Sequence, residues 1–100
     1  MRVNPEDEIR VLRESEDLAG AATLTIRAYG AEVLGFLIGL ARSETEGEEV
    51  FAQASHDLWV GIPSFRGSCS MRTWYYALAR HAASRRRRAP QQRPGHNVPI

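Results

Sequence analysis

The sequence contains no lysine and only one cysteine, Cys69, and these two shortages remove several classes of protein. A single cysteine cannot form an internal disulfide or a two-thiolate metal site, so a reducing cytoplasm is the simplest predicted setting. Without lysine there is no phosphate-binding loop of the type that ends in a lysine. His56, His81 and His96 are far apart and lack the compact spacing of metal ligands, so no metal or other cofactor is predicted.

The sequence also lacks a set of residues that would indicate catalysis, and we do not predict an enzyme. Cys69 could act as a nucleophile with His81 as its base, but a lone cysteine in a serine-rich loop favours an inert thiol. The acidic cluster of Glu46, Glu48 and Glu49 stands at a predicted helix start, where the helix dipole favours negative charge.

Long hydrophobic runs are missing too. No uninterrupted apolar run reaches the roughly 18 residues that suggest a membrane-spanning helix. The first residues, MRVNPEDEIRVL, have no apolar segment of the kind found in signal peptides. We therefore expect no membrane contact. The length of 100 residues predicts one domain with a single modest core.

Acidic residues are absent from the second half of the chain. Residues 58–100 carry eight arginines and no acid, whereas residues 1–57 carry all twelve acids and five arginines. The net charge of +1 conceals this division. A basic half without neutralising acids predicts a polyanionic partner, and a solubilising charged tail is the alternative.

Apolar residues recur at intervals of three and four, which predicts an all-α fold, a compact bundle of three to four helices without strands or repeats. Asn4 and Pro5 mark a first helix that runs to about Leu18. A second helix is predicted over about 20–42. Its expected buried stripe consists of Ala22, Ile26, Tyr29, Val33, Phe36 or Leu37, and Leu40. The glycines within it are expected to let another helix approach closely: Gly30, Gly35 and Gly39.

Two further helices are predicted after a polar break. Thr45 to Glu48 has the spacing of a capping box, so the third helix is expected to begin there and to end at Pro63. Its expected apolar face consists of Val50, Phe51, Ala54, Leu58 and Ile62. After a small-residue loop at 64–70, the fourth helix is expected over about 70–88. Its expected apolar face consists of Met71, Trp74, Tyr75, Leu78 and Ala82. The proline-rich residues 89–100 are expected to be a linker or disordered tail.

The stretch 62–88 combines aromatic residues with arginines. A loop with Phe65 precedes a helix with Trp74, Tyr75 and Tyr76, and four consecutive arginines follow. Such a combination suits single-stranded nucleic acid, because unstacked bases need aromatic faces and the backbone needs positive charge. Core packing is the alternative role. We favour it for Trp74 and Tyr75, whereas for Phe65 and Tyr76 both roles stay open.

The same stretch, IPSFRGSCSMRTWYYALARHAASRRRR, resembles the second conserved region of extracytoplasmic-function (group IV) sigma factors of bacterial RNA polymerase. Those proteins carry a phenylalanine-arginine-glycine loop, a few small residues, then arginine-threonine-tryptophan, an aromatic pair, isoleucine-alanine-arginine-asparagine and a basic end. The matching positions here are Phe65 to Gly67, Arg72 to Trp74, Tyr76, and Leu78 to His81. Upstream, the matching positions are Tyr29 with Val33, Glu48 with Glu49, and Trp59.

The resemblance implies a transcription initiation factor domain of the sigma region-two type over residues 20–88, preceded by an N-terminal helical extension at 1–19. This domain would bind the clamp helices of the largest subunit of core RNA polymerase. It would also capture the single-stranded non-template strand of the promoter minus-ten element by base flipping. The implied DNA-binding residues are Phe65, Arg66, Gly67, Ser68, Arg72, Thr73, Tyr76, Arg80, His81, Ser84 and Arg85. The implied polymerase-binding residues are Glu48, Glu49, Ala52, Gln53 and His56. An anti-sigma factor would be a further partner.

The sequence departs from the family pattern in three respects. Ala52, Gln53 and Ser55 replace the usual glutamine-glutamate and apolar residues, and His56 replaces another apolar residue, which predicts a weaker polymerase contact. His81 replaces an asparagine, so the base preference at that position stays open. The helix-turn-helix domain that reads the minus-thirty-five element has no counterpart. The proline-rich ending leads us to expect one domain of a longer chain.

Two other functions stay open on the sequence. A general nucleic-acid-binding helical module would use the basic half without any polymerase contact. A protein-interaction regulator would use the acidic half and be indifferent to DNA. Polymerase binding separates the first of these from a sigma factor, and DNA binding at low salt separates the second.

Overall fold

The computed structural model describes residues 4–88, with only the backbone of Arg88, as four α-helices. The helices are α1 Pro5–Glu14, α2 Leu18–Ala41, α3 Glu44–Gly61 and α4 Met71–Arg88, with a short 3₁₀ turn at Ile62–Ser64. No strand occurs within this part of the chain, and the predicted all-α bundle is confirmed. The tail predicted at 89–100 lies outside the described residues.

The first helix is shorter than predicted. Its start is capped as expected, since the Asn4 side chain accepts the backbone N–H of Glu6 at 2.9 Å. It ends at Glu14 and does not reach Leu18, because the backbone reverses at Glu16, whose φ is 63°. Asp17 then caps α2. The two helices are therefore separated by a tight turn that periodicity alone does not mark.

The third helix begins at Glu44, and its capping residue lies two positions before the predicted one. Ser43, and not Thr45, is the capping residue, because its hydroxyl oxygen accepts the backbone N–H of Glu46 at 3.2 Å. Ser43 and Glu46 have the same three-residue spacing as Thr45 and Glu48, so two frames of the capping box compete in the sequence. The extra residues lengthen the acidic end of α3. At the start of α4, Ser70 performs the same capping role.

The hydrophobic core lies where α2 faces the other three helices. Its largest fully buried side chains are Ile9, Val33, Leu37, Leu58 and Tyr75. The expected faces are largely confirmed, but Leu40 is 43% exposed because it lies in the last turn of α2. Trp74 and Leu78 are half-buried, while Ala79, which we did not predict, is fully buried.

The close approach of two helices occurs at a glycine other than those predicted. A Cβ at Gly47 would lie 2.7 Å from the Cα of Ile38, so α3 touches the backbone of α2 there. A Cβ at Gly35 or Gly39 would meet nothing within 4 Å, so those two glycines do not serve helix packing in the described structure. A Cβ at Gly30 would make ordinary contact with Phe51.

Helix α2 is long and apolar enough to cross a membrane, with a mean hydropathy of 1.4 over 18 residues. The sequence predicted no such segment, because Arg27 and Glu32 interrupt the apolar residues of α2. Length and composition are weak evidence for a membrane span, since core helices and signal sequences meet the same criteria. In the described structure α2 packs against α1, α3 and α4.

Candidate nucleic-acid interface

The predicted DNA-binding residues of α4 lie on two sides of that helix. Met71, Tyr75 and Ala79 are buried and identify the side that faces the core. With about 3.6 residues per turn, residues three and four apart follow one side of a helix. A broad side of α4 begins next to α2, and we call it the arginine side of α4. Its residues are Arg72, Thr73, Tyr76, Arg80, Ser84 and Arg87. The side towards α3 carries Arg85 and, one turn earlier, His81. These residues therefore do not form one surface.

Arg72, at the start of the arginine side, is already bound to an acid. Its Nε lies 2.5 Å from Oε1 of Glu32 on α2. The hydrogen bond and the charge of Glu32 raise the pKa of Arg72. The Arg72 guanidinium also lies 5.2 Å from the centroid of the Tyr76 ring, which makes an edge contact with Phe36. A phosphate or a base must compete with these contacts to reach Arg72 or Tyr76.

Three ion pairs, here called the α3–α4 ion pairs, connect α3 with the C-terminal half of α4, and the longest joins Arg86 Nε to Oε1 of Glu46 at 3.8 Å. Arg85 Nη2 donates to Oδ2 of Asp57 at 2.8 Å, and Arg86 Nη2 lies 2.7 Å from Oε1 of Glu49. Burial by itself raises the pKa of Asp57, but hydrogen bonds from Arg85 and Gln53 outweigh it, so the pKa is lowered. Part of the basic segment is therefore neutralised within the chain.

Three of the arginines of residues 65–87 have no carboxylate partner within the described residues: Arg66, Arg80 and Arg87. All three are exposed. Arg66 lies in the loop before α4, whereas Arg80 and Arg87 lie on the arginine side. They are the positive charges of this region that a polyanion reaches without breaking an ion pair. Arg87 was missing from the predicted site, because ion pairing between helices cannot be read from the sequence.

Phe65, which the resemblance implies as a DNA-binding residue, is half-buried and already in contact with two side chains. Its ring centroid is 4.8 Å from that of Trp74, and the guanidinium of Arg13 lies 4.7 Å from it. Arg13 Nη2 also donates to the Phe65 carbonyl at 3.0 Å. The ring is therefore packed between α1 and α4 at the entrance to the loop.

The remaining loop residues are exposed. Gly67 has a φ of 78°, which glycine adopts without steric cost. Arg66, Ser68 and the free thiol of Cys69 face solvent. A groove of about 280 Å³ separates this loop from α1. The loop thus offers small polar groups next to a positive side chain, as the sequence predicts.

The start of α4 is also held by a residue from the far end of the chain. The carboxylate of Glu6 accepts the backbone N–H of Met71 at 2.8 Å and that of Arg72 at 3.1 Å. It also accepts the Tyr29 hydroxyl at 2.6 Å. Burial, together with the hydrogen bond and charge of Glu6, raises the pKa of Tyr29. We did not predict this cap, because local capping patterns give no information on a residue 65 positions away.

The predicted polymerase-binding residues share one exposed side of α3, here called the outer face of α3. Glu48, Ala52 and His56 are four residues apart and all exposed, so they form one ridge. Glu49 and Gln53 form a parallel ridge beside it, next to the α3–α4 ion pairs. The structure therefore brings all five predicted residues together.

Two exposed apolar side chains extend the outer face of α3. Trp59 is 44% exposed and Val60 is 66% exposed, three and four residues beyond His56. Tryptophan is enriched among the residues that dominate protein interfaces, and apolar side chains with a polar surround are typical of contact surfaces. We matched Trp59 to the family pattern but placed neither residue in the site, because their exposure depends on how α3 is packed.

Comparison with known proteins gives no relative: no family model matches the chain, and no significant match exists among curated proteins or solved structures. The resemblance to sigma factors consequently rests on the chain's own residues. Two surfaces are candidates for a functional role. One is the outer face of α3, and the other is the loop together with the arginine side of α4.

Proposed function

We propose that the chain is the polymerase-binding and promoter-melting domain of an extracytoplasmic-function sigma factor. On this proposal it is a cytoplasmic transcription initiation factor and not an enzyme. The observation that carries the proposal is the presence of two chemically different surfaces on adjoining helices. One is acidic with exposed apolar side chains, on α3, and the other combines arginines with aromatic residues, on α4. The ordered likeness over residues 20–88 supports core RNA polymerase and promoter DNA as the partners.

The outer face of α3 suits a protein partner. Glu48 and Glu49 supply negative charge, which speeds and orients the encounter with a basic helix surface. Trp59 and Val60 supply apolar area that is costly to leave in water and favourable to bury on binding. Charge and apolar surface together favour a specific contact over a merely solubilising acidic helix.

The loop and the arginine side of α4 suit single-stranded DNA. The unpaired Arg66, Arg80 and Arg87 can contact phosphates without breaking an ion pair. The exposed small residues of the loop leave room for an unstacked base, which a duplex does not offer. A base that stacks on the face of Tyr76 next to Arg72 must displace the Arg72 guanidinium. Single strands are therefore the expected ligand.

The test is the affinity of the whole chain for purified core RNA polymerase, measured with the wild type and a Trp59→Ala variant. Loss of an interface tryptophan is expected to weaken binding by at least about tenfold, which corresponds to about 1.4 kcal/mol. Val11→Ala is the matched control, because Val11 is 60% exposed but lies on α1. Absence of binding by the wild type, or equal losses in both variants, would contradict the proposal.

A general module for single-stranded nucleic acid is the second candidate. The unpaired arginines favour it, because backbone contacts alone need no polymerase and no base preference. On this reading, the chain binds matched and scrambled single strands equally and does not bind core polymerase. The same two assays therefore separate the candidates.

A further inference from the structure

We propose that helix α1 is part of the nucleic-acid-binding unit, and that Glu6 and Arg13 are positioning residues for it. They hold the loop 65–70 and the first turn of α4 in the conformation that captures a base. The identity of the ligand, single-stranded DNA, rests on the proposed function. The conformation of the loop does not, since it is measurable without DNA.

Glu6 holds the end of the loop. The first N–H groups of any helix lack partners within the helix, and here two of them, on Met71 and Arg72, bond to the Glu6 carboxylate. A negative charge at the positive end of the helix dipole strengthens these bonds. Tyr29 donates to the same carboxylate and so fixes its direction. The first turn of α4 is therefore attached to α1 and α2 by one side chain.

Arg13 holds the beginning of the loop. Its guanidinium donates to the carbonyl of Phe65 and lies over the Phe65 ring, so it restrains both the backbone and the side chain. Arg13 is seven residues after Glu6, which places the two on the same side of α1. The fully buried Ile9 lies between them and presses that side against the bundle. One helical face therefore carries both anchors.

The shape of the loop depends on these anchors. Residues 66–69, between them, are exposed and have no hydrogen bond to another segment within the described residues. A loop that is ordered only at its ends loses its conformation when an end is released. Ordering it again on binding would cost affinity, and preorganisation removes that cost. Glu6 and Arg13 are thus expected to act on base capture without touching the strand.

The experiment uses Cys69, the only cysteine and an exposed member of the loop, as the attachment site for a spin label. Label mobility in the full chain is compared among the wild type, Glu6→Gln and Arg13→Gln. The matched control is Asp7→Asn, because Asp7 is an exposed acid next to Glu6 on α1 and pairs with Arg10 at 2.8 Å, not with the loop. Circular dichroism verifies that each variant retains its helices.

Both anchor variants are expected to increase label mobility at Cys69, and the Asp7→Asn control is expected to match the wild type. On unlabelled protein, the anchor variants are expected to lose about tenfold in affinity for a matched single strand, equivalent to about 1.4 kcal/mol. The loss for a scrambled strand should be smaller, since phosphate contacts do not require the loop. Should Glu6→Gln fail to fold, Arg13→Gln alone carries the test, because it leaves the α4 cap intact.

Unchanged mobility at Cys69 in both anchor variants overturns the positioning role, whatever the chain binds. Greater mobility with unchanged affinity for the matched strand overturns it as well. A wild-type chain that binds no single strand overturns the proposed function and, with it, the role of α1 in base capture. The mobility measurement distinguishes these failures, because it is made before any DNA is added.

Discussion

Arg86 Nη2 lies 2.7 Å from Oε1 of Glu49, so a predicted polymerase-binding residue is paired with the arginines of α4. A change at Glu49 therefore affects two things, the outer face of α3 and the packing of α3 against α4. Its neighbour Glu48 is exposed and has no ion pair within residues 4–88. The two acids are adjacent in sequence but differ in what their replacement tests.

Charge reversal at these two positions is expected to give different results. Glu48→Arg should weaken polymerase binding while moving the free energy of unfolding by no more than about 0.5 kcal/mol, as surface changes usually do. Glu49→Arg should weaken binding and also lower stability, because it places a positive charge against Arg86. Polymerase titration and thermal unfolding of both variants are the measurements. If Glu48→Arg leaves the affinity for polymerase unchanged, this result contradicts docking through the outer face of α3.

The pair of Asp57 and Arg85 predicts the response of DNA binding to salt. Asp57→Asn removes the internal partner of Arg85 and makes that arginine available to a phosphate. The log–log dependence of single-strand affinity on salt should then become steeper by about 0.7, the contribution of one phosphate contact. Asp7→Asn is the control, since its partner Arg10 lies on α1. An identical slope in wild type and Asp57→Asn would show that Arg85 does not meet the strand.

Asp57 also predicts how stability depends on pH. Its pKa in the folded chain is lowered, so its charged form is favoured by folding. The stabilisation is fully present above the unfolded pKa of about 3.9 and is lost as pH falls through the lower folded value. The stability difference between wild type and Asp57→Asn should therefore be constant near neutral pH and shrink below about pH 4. Urea unfolding across this range measures it, and a difference that grows on acidification would contradict the sign.

Two glycines provide a matched pair for helix packing. Gly47→Ala would place a Cβ against the backbone of Ile38 and should destabilise the fold by about 1–3 kcal/mol, as overpacking does. Gly35→Ala meets nothing within 4 Å and should stabilise α2 by up to about 1 kcal/mol, through helix propensity alone. Chemical unfolding of both variants tests this. If Gly35→Ala destabilises the fold, the side of α2 that carries Gly35 is in contact with another segment or another molecule.

The sequence was sufficient to predict the helices and most of the core, because apolar spacing records which side of each helix is buried. It predicted the outer face of α3 for the same reason, as residues four apart share a ridge. Contacts between segments that are distant in the sequence could not be predicted. The Glu6 cap on Met71, the stacking of Arg13 on Phe65 and the α3–α4 ion pairs depend on tertiary packing. The close approach of α3 to α2 at Gly47 likewise could not be predicted, because nothing in the sequence distinguishes Gly47 from the other glycines.

Capture of a single-stranded promoter base is the central claim. Its most direct test is a salt titration of fluorescently labelled oligonucleotides with the wild type and Phe65→Ala. We expect a matched non-template single strand to bind more tightly than a scrambled strand or the duplex, and Phe65→Ala to remove the difference between matched and scrambled strands. Contacts from Arg66, Arg80 and Arg87 predict a log–log salt slope of about −2, at about −0.7 each. Equal binding of all three ligands, unchanged by Phe65→Ala, would leave a nonspecific basic helix and contradict the claim.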